Sequence, residues 1–209
     1  MATFTHQVSL NPILDEIKPS ATLAMTARAK ELKREGRPVI GLSAGEPDFN
    51  TPQPIAEAAK QAIDEGFTHY TLNAGIIPLR EAICKALREN RGLSYEPDEI
   101  LTSNGAKQSV AQAIYCLAGS GDEVIIPSPF WVSYPEMVKL GGATPVIAHT
   151  GVEESYKLTP AILEAAITDR SRVLILCSPS NPTGVVYTPR DLEEIAEVLR
   201  PHDQITVIS

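Results

Sequence analysis

The feature that most constrains this chain runs from Arg172 to Gly184, where an apolar stretch, Val173-Leu174-Ile175-Leu176-Cys177, stops at Ser178-Pro179-Ser180-Asn181-Pro182-Thr183-Gly184. Apolar side chains at consecutive positions of a strand require burial on both faces, which a parallel sheet covered by helices provides. A strand of that kind ending in a rigid polar turn delivers a side chain to the carboxyl edge of the sheet, where open α/β sheets bind ligands. Asn181 is that side chain. Its amide both donates and accepts, Pro182 fixes the chain after it, and Gly184 is free to take a positive φ.

The rest of the chain repeats the theme. Strand-like runs occur at 39–42, 99–102, 123–126, 144–147, 172–177 and 205–208, with helical periodicity between them, the alternation expected of a parallel sheet covered by helices. The clearest helix begins at Thr188 with Pro189 in its first turn and sets Leu192, Ile195, Ala196 and Leu199 on one face. A second begins at Thr159-Pro160 and groups Ile162, Leu163, Ala166 and Ile167. Pro19 opens a helical run that ends at Gly36, before any sheet strand. Ile205 to Ile208 reads as a buried strand with nothing after Ser209 to use it, so the expectation is the N-terminal portion of a longer protein.

Composition excludes several classes of function. Eighteen basic against 26 acidic residues give a net charge of −8 without a basic block, which argues against nucleic-acid and acidic-membrane partners. Cys84, Cys116 and Cys177 are odd in number and widely spaced, and His6, His69, His149 and His202 are scattered, so neither a disulfide framework nor a metal site is expected. There is no apolar stretch of membrane-spanning length and no secretory leader pattern, so a cytoplasmic location is the default.

Several residues could carry chemistry, each beside a plainer reading. Gly105-Ala106-Lys107 opens a helix with an apolar stripe of Val110, Ala113, Ile114 and Leu117. The N–H groups of such a helix start bind an anion, or else this is an ordinary start with Asn104 as cap and Gly105 as turn residue. Trp131 follows a strand and either stacks on a flat ring or fills the core. Asn181 either faces a ligand or makes a local turn bond. Gly45 permits close approach of a carboxylate to the backbone, or is the turn glycine before Pro47. Tyr70 is an exposed or half-buried aromatic, and Lys18, Ser20 and Thr22 suit a capped surface helix start.

Ser43-Ala44-Gly45-Glu46-Pro47-Asp48-Phe49, Asn104-Gly105-Ala106-Lys107-Gln108, Ser128-Pro129-Phe130-Trp131-Val132-Ser133-Tyr134-Pro135 and the Asn181 turn stand in an order and spacing that resemble the pyridoxal-phosphate aminotransferases of fold type I. With Lys18-Pro19-Ser20-Ala21-Thr22, the whole chain resembles the N-terminal part of an aspartate aminotransferase of the bacterial Ib subgroup. The resemblance implies an α/β fold whose mainly parallel sheet is sandwiched by helices. Residues 1–45 would form an arm and part of a small domain, and 46–209 an incomplete large domain that binds pyridoxal 5′-phosphate.

It also implies roles. Gly105, Ala106 and Lys107 would form the phosphate-binding turn, Trp131 would pack on the pyridine ring, and Asn181 would bond to the ring's phenolic oxygen and the substrate's α-carboxylate. Gly45 would contact that carboxylate, and Lys107 would place a cation near the distal one. Lys18, Ser20 and Thr22 belong to an arm near the same end of the substrate. Tyr70 would reach the phosphate of a neighbouring subunit, implying a homodimer with shared sites. The substrates would be amino acids and 2-oxo acids: L-aspartate and 2-oxoglutarate, with arogenate-forming use of prephenate as a second activity.

The resemblance implies that the Schiff-base lysine lies beyond Ser209; none of the lysines here follows a Ser/Thr-rich turn that would suit an imine, and no catalytic residue is assigned. Two other readings stand beside the first: a truncated, non-catalytic homologue, and a different fold type I enzyme such as a β-lyase or an aminocyclopropane-carboxylate synthase.

Overall fold

Four parallel strands form one sheet in the order β2-β1-β3-β4: β1 (Glu123–Ser128), β2 (Thr144–His149), β3 (Ser171–Ile175) and β4 (Thr206–Ile208). The structure is a computed structural model describing residues 9–17, 19–45 and 47–209. Two compact units divide the chain: Thr22–Ser109, and the residues up to Ala21 together with Val110–Ser209.

The sheet belongs to the second unit, and its alternation builds two cores. Val124, Ile126, Val173 and Ile175 point to one face, where Ile114, Tyr134, Met137 and Val138 cover them. Ile125, Leu174 and Leu176 point to the other and meet Leu158, Leu163, Tyr187 and Ile195. The covering helices are α4 (Ala106–Leu117) and α5 (Ser133–Leu140) on the first face, α6 (Pro160–Ala166) and α7 (Pro189–Leu199) on the second. Consecutive apolar residues in β1 and β3 are thus satisfied on both sides, as the sequence pattern requires. Glu123, which opens β1 almost fully buried, is held by an ion pair with Arg170 and a hydrogen bond from the Thr168 hydroxyl.

Thr188 caps α7 by accepting from the Asp191 N–H at 3.2 Å, while Asp191 reaches back to the Thr188 N–H at 2.7 Å. Thr159 caps α6 by accepting from the Ile162 N–H alone. On α7 Ile195 is buried but Leu192 and Ala196 are exposed, so the buried stripe is narrower than the periodicity suggests.

In the first unit, α1 (Ala21–Arg34) ends at Gly36, whose φ is +79°, and has no buried residue. It is followed by α2 (Gln53–Asp64) and α3 (Ile77–Arg91). Buried positions on α3 are Arg80 and Cys84, with the Arg80 guanidinium donating to the Pro97 carbonyl at 2.8 Å.

Three strand expectations are corrected. Residues 39–42 and 99–102 form no strand: Ile40 and Leu42 are 87% and 91% exposed, and Leu101 is 64% exposed. Their apolar pattern needs a ladder partner, and none of the described residues supplies one. β4 forms, but as the sheet's edge, with Val207 41% exposed, rather than as a buried inner strand.

Candidate functional site

The chain leaves β1 toward β2 on one side and returns through α6 to β3 on the other, so the strand order reverses between β1 and β3. Loops diverge at such a reversal and leave a crevice outside the carboxyl ends of the strands. A hollow lies there, bordered by Ser128, Phe130 and Tyr134 after β1 and by Cys177 and Asn181 after β3. Its volume of about 20 Å³ suits a water.

Asn181 is exposed at this edge. Its turn closes through the Gly184 N–H on the Ser180 carbonyl and the Ser180 N–H on the Val185 carbonyl, both at 2.8 Å. Gly184 has φ +73°, a conformation that favours glycine. The peptide bonds before Pro179 and Pro182 are cis.

Trp131 is half-buried and packs on the first-face core. Its indole meets the ring of Tyr134 edge-on, with centroids 5.4 Å apart and planes at 90°. Burial and a side-chain hydrogen bond with Cys177 push the Tyr134 phenol up to about 12. Tyr187, on the far wall, accepts the Leu158 N–H at 2.8 Å, and burial raises its phenol too.

A second hollow lies within the first unit, with a volume of about 540 Å³. Tyr70 and the start of α4 border it together, because Thr102 ties the two segments: its N–H and its hydroxyl donate to the Ala74 carbonyl at 3.0 and 3.2 Å. Gly75 makes that approach possible; with φ +100°, a Cβ there would stand 2.2 Å from the Thr102 hydroxyl. Tyr70 is fully exposed.

At the α4 start Gly105 has φ +87°. The Gln108 side chain accepts from the Asn104 N–H at 2.7 Å, so the reciprocal bond comes from Gln108 and no side-chain cap from Asn104 is found among the described residues. The Ala106 N–H has no partner among the described residues. Ser103 Oγ, on the border of the hollow, is buried without a hydrogen-bond partner. Lys107 is exposed on the first turn, which holds no acidic residue.

Gly45 is exposed in the first unit, and a Cβ there would meet nothing within 4 Å. Ser20 and Thr22 flank the start of α1, Ser20 exposed and Thr22 half-buried; Lys18 lies outside the described residues. The structure thus brings Tyr70 together with the Gly105 turn, and Asn181 together with the segment after β1. Sequence reasoning missed Ser103, Gly75 and the meeting of Tyr134 and Cys177 at one hollow. Only for Tyr134 was there a local signal, three residues after Trp131 at a helix start.

Comparison with known proteins places these features in a family. The model for "Aminotransferase class I and II" matches residues 37–209. A bifunctional aspartate aminotransferase and glutamate/aspartate-prephenate aminotransferase of Petunia hybrida is 55% identical over 202 residues, covering 97% of this chain and 42% of that protein. An aspartate/prephenate aminotransferase of Cereibacter sphaeroides is 50% identical over 200 residues, 96% of this chain and 50% of the relative. Among solved structures, the aspartate aminotransferase of Rhizobium meliloti superposes with TM-score 0.91 at 41% identity, over 96% of this chain and 50% of that one. That of Thermus thermophilus with maleate gives 0.90 at 42%, over 96% and 53%. The chain spans about half the length of these relatives.

Aminotransferases of this family use pyridoxal 5′-phosphate. The residues present fit its phosphate: an unpartnered N–H at Ala106, an orphaned buried hydroxyl at Ser103 and a helix start without acidic residues make a donor set for an anion. With its fold, its sheet edge and its donor set in agreement with these matches, the chain belongs to the class I and II aminotransferases.

Proposed function

We propose that the protein carrying this chain is an aspartate aminotransferase that moves the amino group of L-aspartate to 2-oxoglutarate, forming oxaloacetate and L-glutamate, and that also accepts prephenate. The reading is supported by relatives of 50–55% identity named for aspartate and prephenate, and by a Thermus thermophilus relative solved with maleate, a four-carbon dicarboxylate. The observation that carries it is the sheet's reversal point, where the Asn181 turn and the Trp131–Tyr134 aromatic pair flank one edge.

The roles follow from the chemistry of each residue. At the Gly105 turn, whose own N–H is taken by the Ser103 carbonyl, the N–H groups of Ala106 and Lys107 hold the cofactor phosphate, with the Ser103 hydroxyl as a further donor. Trp131 covers a face of the ring and keeps water from it. The Asn181 amide N–H donates to the ring's phenolic oxygen and helps hold the α-carboxylate, as does the main chain at Gly45. Lys107 offers its charge to the distal carboxylate. When bound, the cofactor supplies an electron sink for the substrate carbanion. The proton-shuttling lysine is assigned to no residue of this chain.

Tyr70 reaches the phosphate bound by a second subunit, and its full exposure supports that role. The protein on this reading is a cytoplasmic homodimer, with residues 1–45 its arm and part of a small domain and 46–209 the front of its large domain. Among the described residues no helix is long and apolar enough to cross a membrane.

Titrating the full-length protein with pyridoxal 5′-phosphate and following the cofactor's visible absorbance tests this. Asn181→Ala should shift the absorbance maximum and weaken L-aspartate binding while leaving the fold intact. An unshifted spectrum with unchanged aspartate affinity would remove Asn181 from the site.

A further inference from the structure

The segment between α2 and α3 carries Tyr70, whose side chain is fully exposed. With no packing to hold the ring, its place is set by the backbone that carries it. That backbone is fastened at one point. The Ala74 carbonyl accepts the Thr102 N–H at 3.0 Å and the Thr102 hydroxyl at 3.2 Å. Among the described residues, no other hydrogen bond joins 69–75 to the rest of the chain. The Gly75 N–H returns to the Leu72 carbonyl at 2.9 Å, so a tight turn carries the fastening toward Tyr70.

On the other side of the tie, Thr102 precedes Ser103, whose carbonyl accepts the Gly105 N–H at 2.8 Å. Tyr70, Thr102, Ser103 and Asn104 border the same hollow. A carbonyl oxygen has two lone pairs, so the Ala74 oxygen satisfies both Thr102 donors at once. One bond alone would leave the segment free to swing about it, and the second removes that freedom. The absence of a side chain at Gly75 lets the Thr102 hydroxyl come this close, since a Cβ there would stand 2.2 Å from it.

We propose that Thr102 is a positioning residue: its hydroxyl, as the second donor on the Ala74 carbonyl, holds the Tyr70 segment in register with the Gly105 turn. The inference rests on the phosphate roles given above for Tyr70 and for that turn, and deepens them. Through this tie a subunit fixes where the tyrosine it lends to its partner stands, relative to the turn with which it grips its own cofactor. Thr102 itself needs no contact with the phosphate, because it acts through Tyr70.

The test titrates the full-length protein with pyridoxal 5′-phosphate and with pyridoxal, and records thermal midpoints beside the affinities. Thr102→Val keeps the shape and leaves the Ala74 carbonyl its N–H bond, so no acceptor is stranded. Tyr70→Phe should weaken binding of the phosphorylated cofactor by about tenfold and Thr102→Val by about three- to fivefold. The double variant should lose no more than Tyr70→Phe alone, because Thr102 acts through that hydroxyl. Thr102→Ser, which returns the donor, should recover the wild-type affinity, and Gly75→Ala, which forces the two segments apart, should reproduce the loss. Pyridoxal should bind all of these variants as it binds wild type. Additive losses in the double variant, equal weakening of pyridoxal, or wild-type affinity in Thr102→Val beside a weakened Tyr70→Phe would overturn this inference alone, whatever the midpoints do. Wild-type affinity in Tyr70→Phe would overturn the role given to Tyr70, and this inference with it.

Discussion

The Gly184 N–H donates to the Ser180 carbonyl at 2.8 Å, which closes the turn presenting Asn181 at the carboxyl edge of β3. Gly184 meets this geometry at φ +73° with open space around it, so a side chain there is opposed by the backbone alone. Gly184→Ala should destabilise the protein by about 1 kcal/mol, and Gly184→Asn by less, since Asn tolerates the left-handed region. Gly75→Ala should cost more than either, because its Cβ would also run into Thr102. Denaturant midpoints at unchanged slope give the order directly; equal midpoints for the two alanine variants would show that the approach of Thr102 is slack.

The orphaned hydroxyl of Ser103 gives a test specific to the phosphate. Ser103→Ala removes a donor on the border of the hollow that Tyr70 shares. Binding of pyridoxal 5′-phosphate should weaken by about tenfold, a typical loss for a hydrogen bond to a charged group. Binding of pyridoxal, which has no phosphate, should not change. Equal weakening of both ligands would indicate a general disturbance of the α4 start.

Stability in acid is tied to the α7 cap. The Asp191 carboxyl is held at about 2, down from an ordinary 3.8, first by the hydrogen bond from Lys157 at 2.7 Å and then by the N–H and hydroxyl of Thr188. Because the folded value lies below the unfolded one, the stabilisation is complete above the unfolded value and is lost as pH falls through about 2. The difference in unfolding free energy between wild type and Asp191→Asn should be constant near neutral pH and shrink between pH 4 and 2. A difference that grows over that interval would contradict the assignment.

What could be read from the chain follows from how locally each feature is encoded. β1 and β3 were legible because burial on both faces writes apolar residues at every position, and α6 and α7 because Thr-Pro marks their starts. The 39–42 and 99–102 runs were misread for the opposite reason: apolarity records a need for burial without naming the partner, and Ile40 and Leu42 have none among the described residues. Asn181 and the Gly105 turn were legible as short motifs. The meeting of Tyr134 and Cys177 at one hollow was not, because the two are far apart in sequence and come together only once α5 lies on the sheet. Gly75 and Ser103 were equally opaque, since each matters through a neighbour distant along the chain or through the lack of one.

The specificity proposed for Lys107 separates dicarboxylic from neutral substrates. Lys107→Ala should raise KM for L-aspartate more than for a neutral amino acid, with a loss in kcat/KM for aspartate of about tenfold. Steady-state kinetics with both donors decide it. Equal effects on the two would leave Lys107 with a role at the phosphate alone.

The central proposal is that the protein carrying this chain moves the amino group of aspartate through a cofactor held at the β1–β3 edge. The most direct measurement mixes full-length protein, pyridoxal 5′-phosphate, L-aspartate and 2-oxoglutarate, and follows oxaloacetate and L-glutamate, with Asn181→Ala in parallel. The account predicts equal amounts of the two products and a much slower variant. Absence of both products in the wild type, with the cofactor demonstrably bound, would contradict it.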